Sequence, residues 1–191
     1  MRRIKLPQDE RIAWLRLARS ENVGSVTFEN LMRFYEKPSD AIKALPDLAK
    51  KGGSKRPIKI CSQQQAEEEL SAIESLGGEI LFSCDEYYPN SLSQIKSLPP
   101  VLTVLGRKDL LNTQGVAFVG ARNASLNGKN LIRKMAFDCV QNNLSVISGL
   151  ALGIDGAAHE GALSANSLKA GTVAVLGCGV DVVYPAENKD I

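Results

Sequence analysis

Two glycine-bearing turns in this 191-residue chain have the residue types of an anion site. Val116-Ala117-Phe118-Val119 runs into Gly120-Ala121-Arg122, and Ser145-Val146-Ile147-Ser148 runs into Gly149-Leu150-Ala151-Leu152-Gly153-Ile154-Asp155. A third apolar run, Thr172-Val173-Ala174-Val175-Leu176, ends in Gly177-Cys178-Gly179. Glycine lets peptide nitrogens come close to a ligand, and a helix that follows such a turn points its first N–H groups at it. Arg122, two residues past Gly120, is placed for a guanidinium clamp on a phosphate held by the turn amides. The plain alternative is a surface arginine at a strand end. Ser148 and Gly149 offer a hydroxyl and an amide to a phosphate or ribose, unless the serine merely caps the next helix.

Asp155 and His159 fall on one helical face, the arrangement of a carboxylate-oriented general base. No nucleophile or metal partner accompanies them. The chain has no GxSxG, no catalytic Cys–His spacing and a single histidine. The alternative is a first-turn aspartate favoured by the helix dipole beside a locally packed imidazole. The glycines do not form GxGxxG, no acidic residue follows a second strand at the dinucleotide position, and there is no GxxxxGK[ST] loop.

The elements that must hold these residues read as follows. Residues 9–52 form short helices, with Ile12, Leu15, Leu17 and Ala18 as an apolar stripe beside Trp14. Thr27 is expected to cap a helix carrying Phe28, Leu31, Met32 and Tyr35, and Pro38-Ser39-Asp40 to cap the next. A Gly/Lys/Pro-rich joint at 50–57 precedes a helix capped by Ser62 and ended by Gly77-Gly78. Strands are expected at 79–82, 101–105, 116–119, 145–148 and 172–176. Ser125 is the expected N-cap of a helix to Asn143, and a second helix with small residues (Ala157, Ala158, Gly161, Ala162) follows Gly153 and faces the sheet. Three strong strands preceded by weaker ones are fewer than such sheets usually have, and no closing helix follows, so the chain reads as the front part of something longer.

Composition bounds the class. Apolar residues make up 44% of the chain, enough for a core, and the net charge is only +2. No apolar run reaches membrane-spanning length, and the basic Met1–Lys5 start is not followed by a signal-type apolar stretch. Cys61, Cys84, Cys139 and Cys178 are scattered without CxxC spacing, which points to reduced thiols in the cytoplasm and away from zinc. A nucleic-acid binder with so small a net charge must concentrate its cations locally. Two clusters qualify: Arg2, Arg3, Lys5, Arg11, Arg16 and Arg19, and Lys129, Arg133 and Lys134 beside the first glycine turn. Solvated helix faces are the alternative for both. Tyr87, Tyr88 and Tyr184 are the candidates for base stacking, or else pack against the neighbouring prolines.

Four blocks in order carry a resemblance. They are Tyr88-Pro89…Leu92…Pro99-Pro100-Val101-Leu102…Gly106, Val119-Gly120-Ala121-Arg122…Gly128, Ser148-Gly149-Leu150-Ala151-Leu152-Gly153-Ile154-Asp155…His159…Ala162-Leu163, and Gly171-Thr172…Val175-Leu176-Gly177-Cys178-Gly179…Tyr184-Pro185. Together they resemble the DNA-processing protein A family (DprA, also called Smf), densely over residues 85–191 and more loosely over 9–84.

The resemblance implies an α/β fold: a Rossmann-like, mostly parallel sheet, incomplete at its C-terminal end, preceded by a small helical domain of the SAM or helix-hairpin-helix kind. The expected domains are 1–60 and 61–191. It implies a protein without established catalytic activity or cofactor that binds single-stranded DNA, protects incoming strands in natural transformation, helps load the RecA recombinase and dimerises. Gly120, Ala121 and Arg122 match the family's GSR turn on DNA phosphates. Ser148, Gly149, Gly153 and Asp155 match the second glycine block beside it, and Lys129 is the neighbouring cation. Three departures stand out: Ala121 replaces the serine of GSR, Leu152 replaces a basic residue of the DNA groove, and the chain ends before an FPxRNR-like block and much of the family's dimer surface. A nucleotide-binding or nucleotide-hydrolysing Rossmann enzyme using Asp155 and His159, and an inactive remnant, are the competing readings.

Overall fold

The computed structural model describes residues 6–53, 56–182 and 184–191; the basic residues Arg2, Arg3 and Lys5 lie outside them. By packing, the chain divides into two units, 1–106 and 107–191. Residues 61–106, grouped with the second domain from sequence, pack inside the first unit. Ala66, Ile80, Phe82, Cys84 and Val101 share one core with Trp14, Leu15, Leu17, Phe28 and Ile42.

The first unit carries α1 (Gln8–Ala18), α2 (Ser25–Phe34), α3 (Pro38–Lys51), α4 (Gln63–Ser75), β1 (Gly78–Phe82) and β2 (Val101–Leu105). Ser62 caps α4 as expected, in a reciprocal box with Gln65. Two other caps differ. α2 starts at Ser25 after Gly24, which puts Thr27 inside the first turn. α3 starts at Pro38, where the missing N–H of proline costs nothing. The cap of α3 comes from afar: the buried Glu10 carboxylate accepts from the Ser39 amide (3.1 Å) and hydroxyl (2.6 Å). At the centre, Trp14 tilts against Phe28 at 5.0 Å and donates its indole N–H to the Pro100 carbonyl.

The arginines of α1 serve this unit's own structure. Arg11 lies over the Phe82 ring and pairs with Asp85, Arg16 donates to the Cys61 carbonyl, and Arg19 makes a forked pair with Glu69. That part of the first basic cluster is therefore not a free cationic face. β1 and β2 pair antiparallel in a sheet of their own and do not lead into the parallel sheet.

The second unit is a βαβαβ core: β3 (Gly115–Ala117), α5 (Leu126–Gln141), β4 (Ser145–Ser148), α6 (Ile154–Leu163) and β5 (Thr172–Ala174). The strands pair in the order β3-β4-β5, all parallel, so their C-terminal ends share one edge. β3 and β5 are shorter than expected. Beyond Ala117 and Ala174 one more backbone bond each (Phe118 to Ile147, Val175 to Ser148) closes the ladder before the chain turns away. Phe118, Val146, Ala136, Val140, Ala158, Ala162 and Ala170 form the core. Ser125 caps α5 through the Gly128 amide. The small-residue face of α6 serves two neighbours: Ala158 and Ala162 enter the core, while Gly161 lies against the α5 backbone at Arg133.

Candidate nucleic-acid interface

The two glycine turns lie side by side at the C-terminal edge of the parallel sheet, and each needs the other's shape. A β-carbon on Gly120 would stand 2.6 Å from the Ile154 side chain. A β-carbon on Gly153 would run into the carbonyls of Ala121 and Arg122. Gly153 also has φ +83°, a backbone region that other L-residues rarely adopt. The Ile154 N–H then donates to the Ala121 carbonyl at 3.2 Å, tying the start of α6 to the first turn. Gly120, Ala121, Arg122, Gly149, Gly153 and Asp155 thus come together in one place. Lys129 follows on the first turns of α5.

Not every group singled out from sequence faces outward. The Ser148 hydroxyl is buried and donates to the Phe118 carbonyl at 2.8 Å, bridging the ends of β3 and β4. The Gly149 amide donates to Asp155 Oδ2 at 3.1 Å. A carboxylate in the first turn of a helix satisfies the nearest orphan amide and favours the positive end of the helix dipole. Ser148, Gly149 and Asp155 therefore brace the turn from below and offer no free donor to a ligand.

His159 is sealed as well. Its Nδ1 lies 2.6 Å from the Thr172 hydroxyl, which itself donates to the Val146 carbonyl. Nε2 is buried with no partner among the described residues. Burial pushes the imidazole below its usual pKa, against the opposing pull of the Asp155 carboxylate and the Ser148 backbone. With no route to solvent, the Asp155–His159 pair gives the general-base reading no support.

What does face solvent is backbone and one guanidinium. The N–H groups of Ala121, Arg122, Ala151 and Leu152 find no acceptor among the described residues. A trans peptide sets N–H opposite C=O. With the Ala121 carbonyl held by Ile154, the Arg122 N–H, which shares that peptide plane, points away from α6. Arg122 is exposed and has no acceptor or ion-pair partner among the described residues. In the second basic cluster Arg133 pairs with Glu160 and Lys134 with Asp138, so of the three only Lys129 has no ion-pair partner among the described residues. Free amides on two adjoining turns with a nearby guanidinium are groups that can cradle an anion.

Leu152 is exposed on the second turn and adds no charge. Of the three stacking candidates, Tyr88 is buried. Its hydroxyl donates to the Pro99 carbonyl, and burial pushes its pKa up to about 12. Tyr87 and Tyr184 are exposed. Sequence reading missed Asn188, in the short 3₁₀ turn Ala186–Asn188. Its side chain donates to the Leu150 and Ala151 carbonyls at 2.8 and 3.1 Å. No local pattern links it to a loop 37 residues earlier.

Comparison with known proteins identifies the family and the fold. The sequence profile of the DNA recombination-mediator protein A family matches residues 79–191, and that of the DprA-like N-terminal HHH domain matches residues 8–72. A protein Smf of Synechocystis sp. is 33% identical over 97% of this chain and 48% of its own length. The crystal structure of DNA processing protein A from Streptococcus pneumoniae superposes with a TM-score of 0.64 at 29% identity, covering 98% of this chain and 63% of that one. DNA processing protein A from Helicobacter pylori, solved for its single-stranded DNA binding mode, gives a TM-score of 0.50 at 28% identity, over 58% of this chain and 47% of that one. The chain spans about half the length of the Synechocystis relative, at 48%.

Proposed function

Because the chain belongs to the DNA recombination-mediator protein A family, we propose that the paired turns of its second unit bind the backbone of single-stranded DNA without catalysing a reaction. One observation carries this reading: two interlocked turns present peptide N–H groups without an acceptor among the described residues, beside the exposed Arg122, which has no ion-pair partner among them either. Phosphate oxygens are the acceptors such a surface lacks, and Arg122 and Lys129 supply charge where Arg133 and Lys134 are already paired. A flexible single strand can lay consecutive phosphates into a shallow backbone-lined cradle, and the exposed Tyr184 is a candidate ring face for a splayed base. Strand protection during DNA uptake, delivery to RecA, dimerisation and a cytoplasmic location belong to the same proposal, by analogy with the family.

The test is fluorescence anisotropy with a labelled thymidine oligonucleotide at low salt. The wild-type chain binds, and Arg122→Ala binds about tenfold more weakly through loss of a charge-assisted hydrogen bond. Absence of wild-type binding at low salt overturns the proposal.

A further inference from the structure

We infer that Asn188 is the positioning residue that aims the second turn's peptide nitrogens at the bound strand, an inference that rests on the DNA-binding reading above. Leu150 sits at φ +55°, a left-handed conformation that a branched side chain adopts only when its surroundings hold it there. The holding group is the Asn188 side-chain amide, which donates to both the Leu150 and the Ala151 carbonyls. The Gly156 amide donates to the Ala151 carbonyl as well, at 3.0 Å.

Peptide planarity turns this into a device for orientation. The Leu150 carbonyl shares a plane with the Ala151 N–H, and the Ala151 carbonyl with the Leu152 N–H. Drawing both carbonyls toward Asn188 points both N–H groups the other way, where they have no acceptor among the described residues. Asparagine suits the task because its terminal nitrogen carries two hydrogens, one for each carbonyl; aspartate at neutral pH has none and would repel both. Asn188 is itself fixed, its backbone N–H donating to the carbonyl of the buried Pro185 at 3.1 Å. Asn188 touches no strand; it acts through the turn.

The experiment uses the full chain with a labelled thymidine oligonucleotide across a salt series, together with amide hydrogen exchange. Asn188→Ala and the isosteric Asn188→Asp are each expected to bind about tenfold more weakly, as loss of two neutral hydrogen bonds that orient the turn implies. For Asn188→Ala the slope of affinity against salt stays at the wild-type value, because no charged contact is lost. Exchange at the Gly156 amide, which donates to the Ala151 carbonyl of that turn, speeds up while α5 keeps its protection. Wild-type affinity in both variants overturns the inference and leaves the DNA-binding reading standing. So does exchange that accelerates uniformly through β4, α5 and α6, since that marks general destabilisation. A wild-type chain that fails to bind overturns the DNA-binding reading and takes this inference with it.

Discussion

At the residue scale the side chains with chemical potential divide by what holds them. Asp155 and His159 have the types and spacing of an acid–base pair, yet each is turned inward: the carboxylate to the Gly149 amide, the imidazole to the Thr172 hydroxyl. Their work is structural, and it leaves a titration signature. Burial lowers the pKa of His159 in the folded chain below the unfolded value of about 6.5. Between those two values the unfolded chain binds more protons. The stability contributed by the neutral imidazole is therefore full above pH 6.5 and is lost as the pH falls toward the folded value. The thermal midpoint is expected to drop from pH 7 to pH 5 in wild type, and less steeply in His159→Asn, as differential scanning fluorimetry can check. A parallel decline in both would remove His159 as the cause.

At the element scale the site is a junction between two strand–turn–helix units. The strands and helices of the second unit were legible in the sequence, because apolar runs ending in glycine and the three-four spacing of α5 are local patterns. Their mutual fit was not. Gly153 reads from sequence as an amide donor near a ligand. In the structure it is the place where one turn passes across the carbonyls of the other at a positive φ. Gly153→Ala meets both the conformational and the steric penalty. It is expected to lower stability by more than the ~1–3 kcal/mol of an unfavourable backbone conformation alone. Urea unfolding with an unchanged m-value measures this, and a midpoint within error of wild type would show that the turns can separate.

At the scale of the whole molecule charge is scarce. The net value is +2, and many cations that cluster in sequence are paired in space, Arg19 with Glu69 and Arg133 with Glu160 among them. Exposed pairs of this kind add little stability, but they remove charge from any nucleic-acid surface. Binding should therefore depend on a few cations. With Arg122 and Lys129 as the phosphate contacts, log K against log salt is expected to fall with a slope of about 1.4, two contacts at about 0.7 each for a single strand. A much steeper slope, read from anisotropy titrations over a range of salt, would mean that other basic residues of the chain take part.

The sequence by itself determined the family, the order of the elements and the location of the paired glycine turns. These depend on near neighbours: apolar period, helix caps, and glycine where the backbone must bend. Only the tertiary structure decided which groups at those turns remain free. It turned Ser148, Gly149, Asp155 and His159 inward, left Arg122 and a set of peptide nitrogens outward, and brought Asn188 across from the far end of the second unit to hold them. A residue type specifies what a group can bond to, and the packing of distant segments specifies which of those bonds are already made.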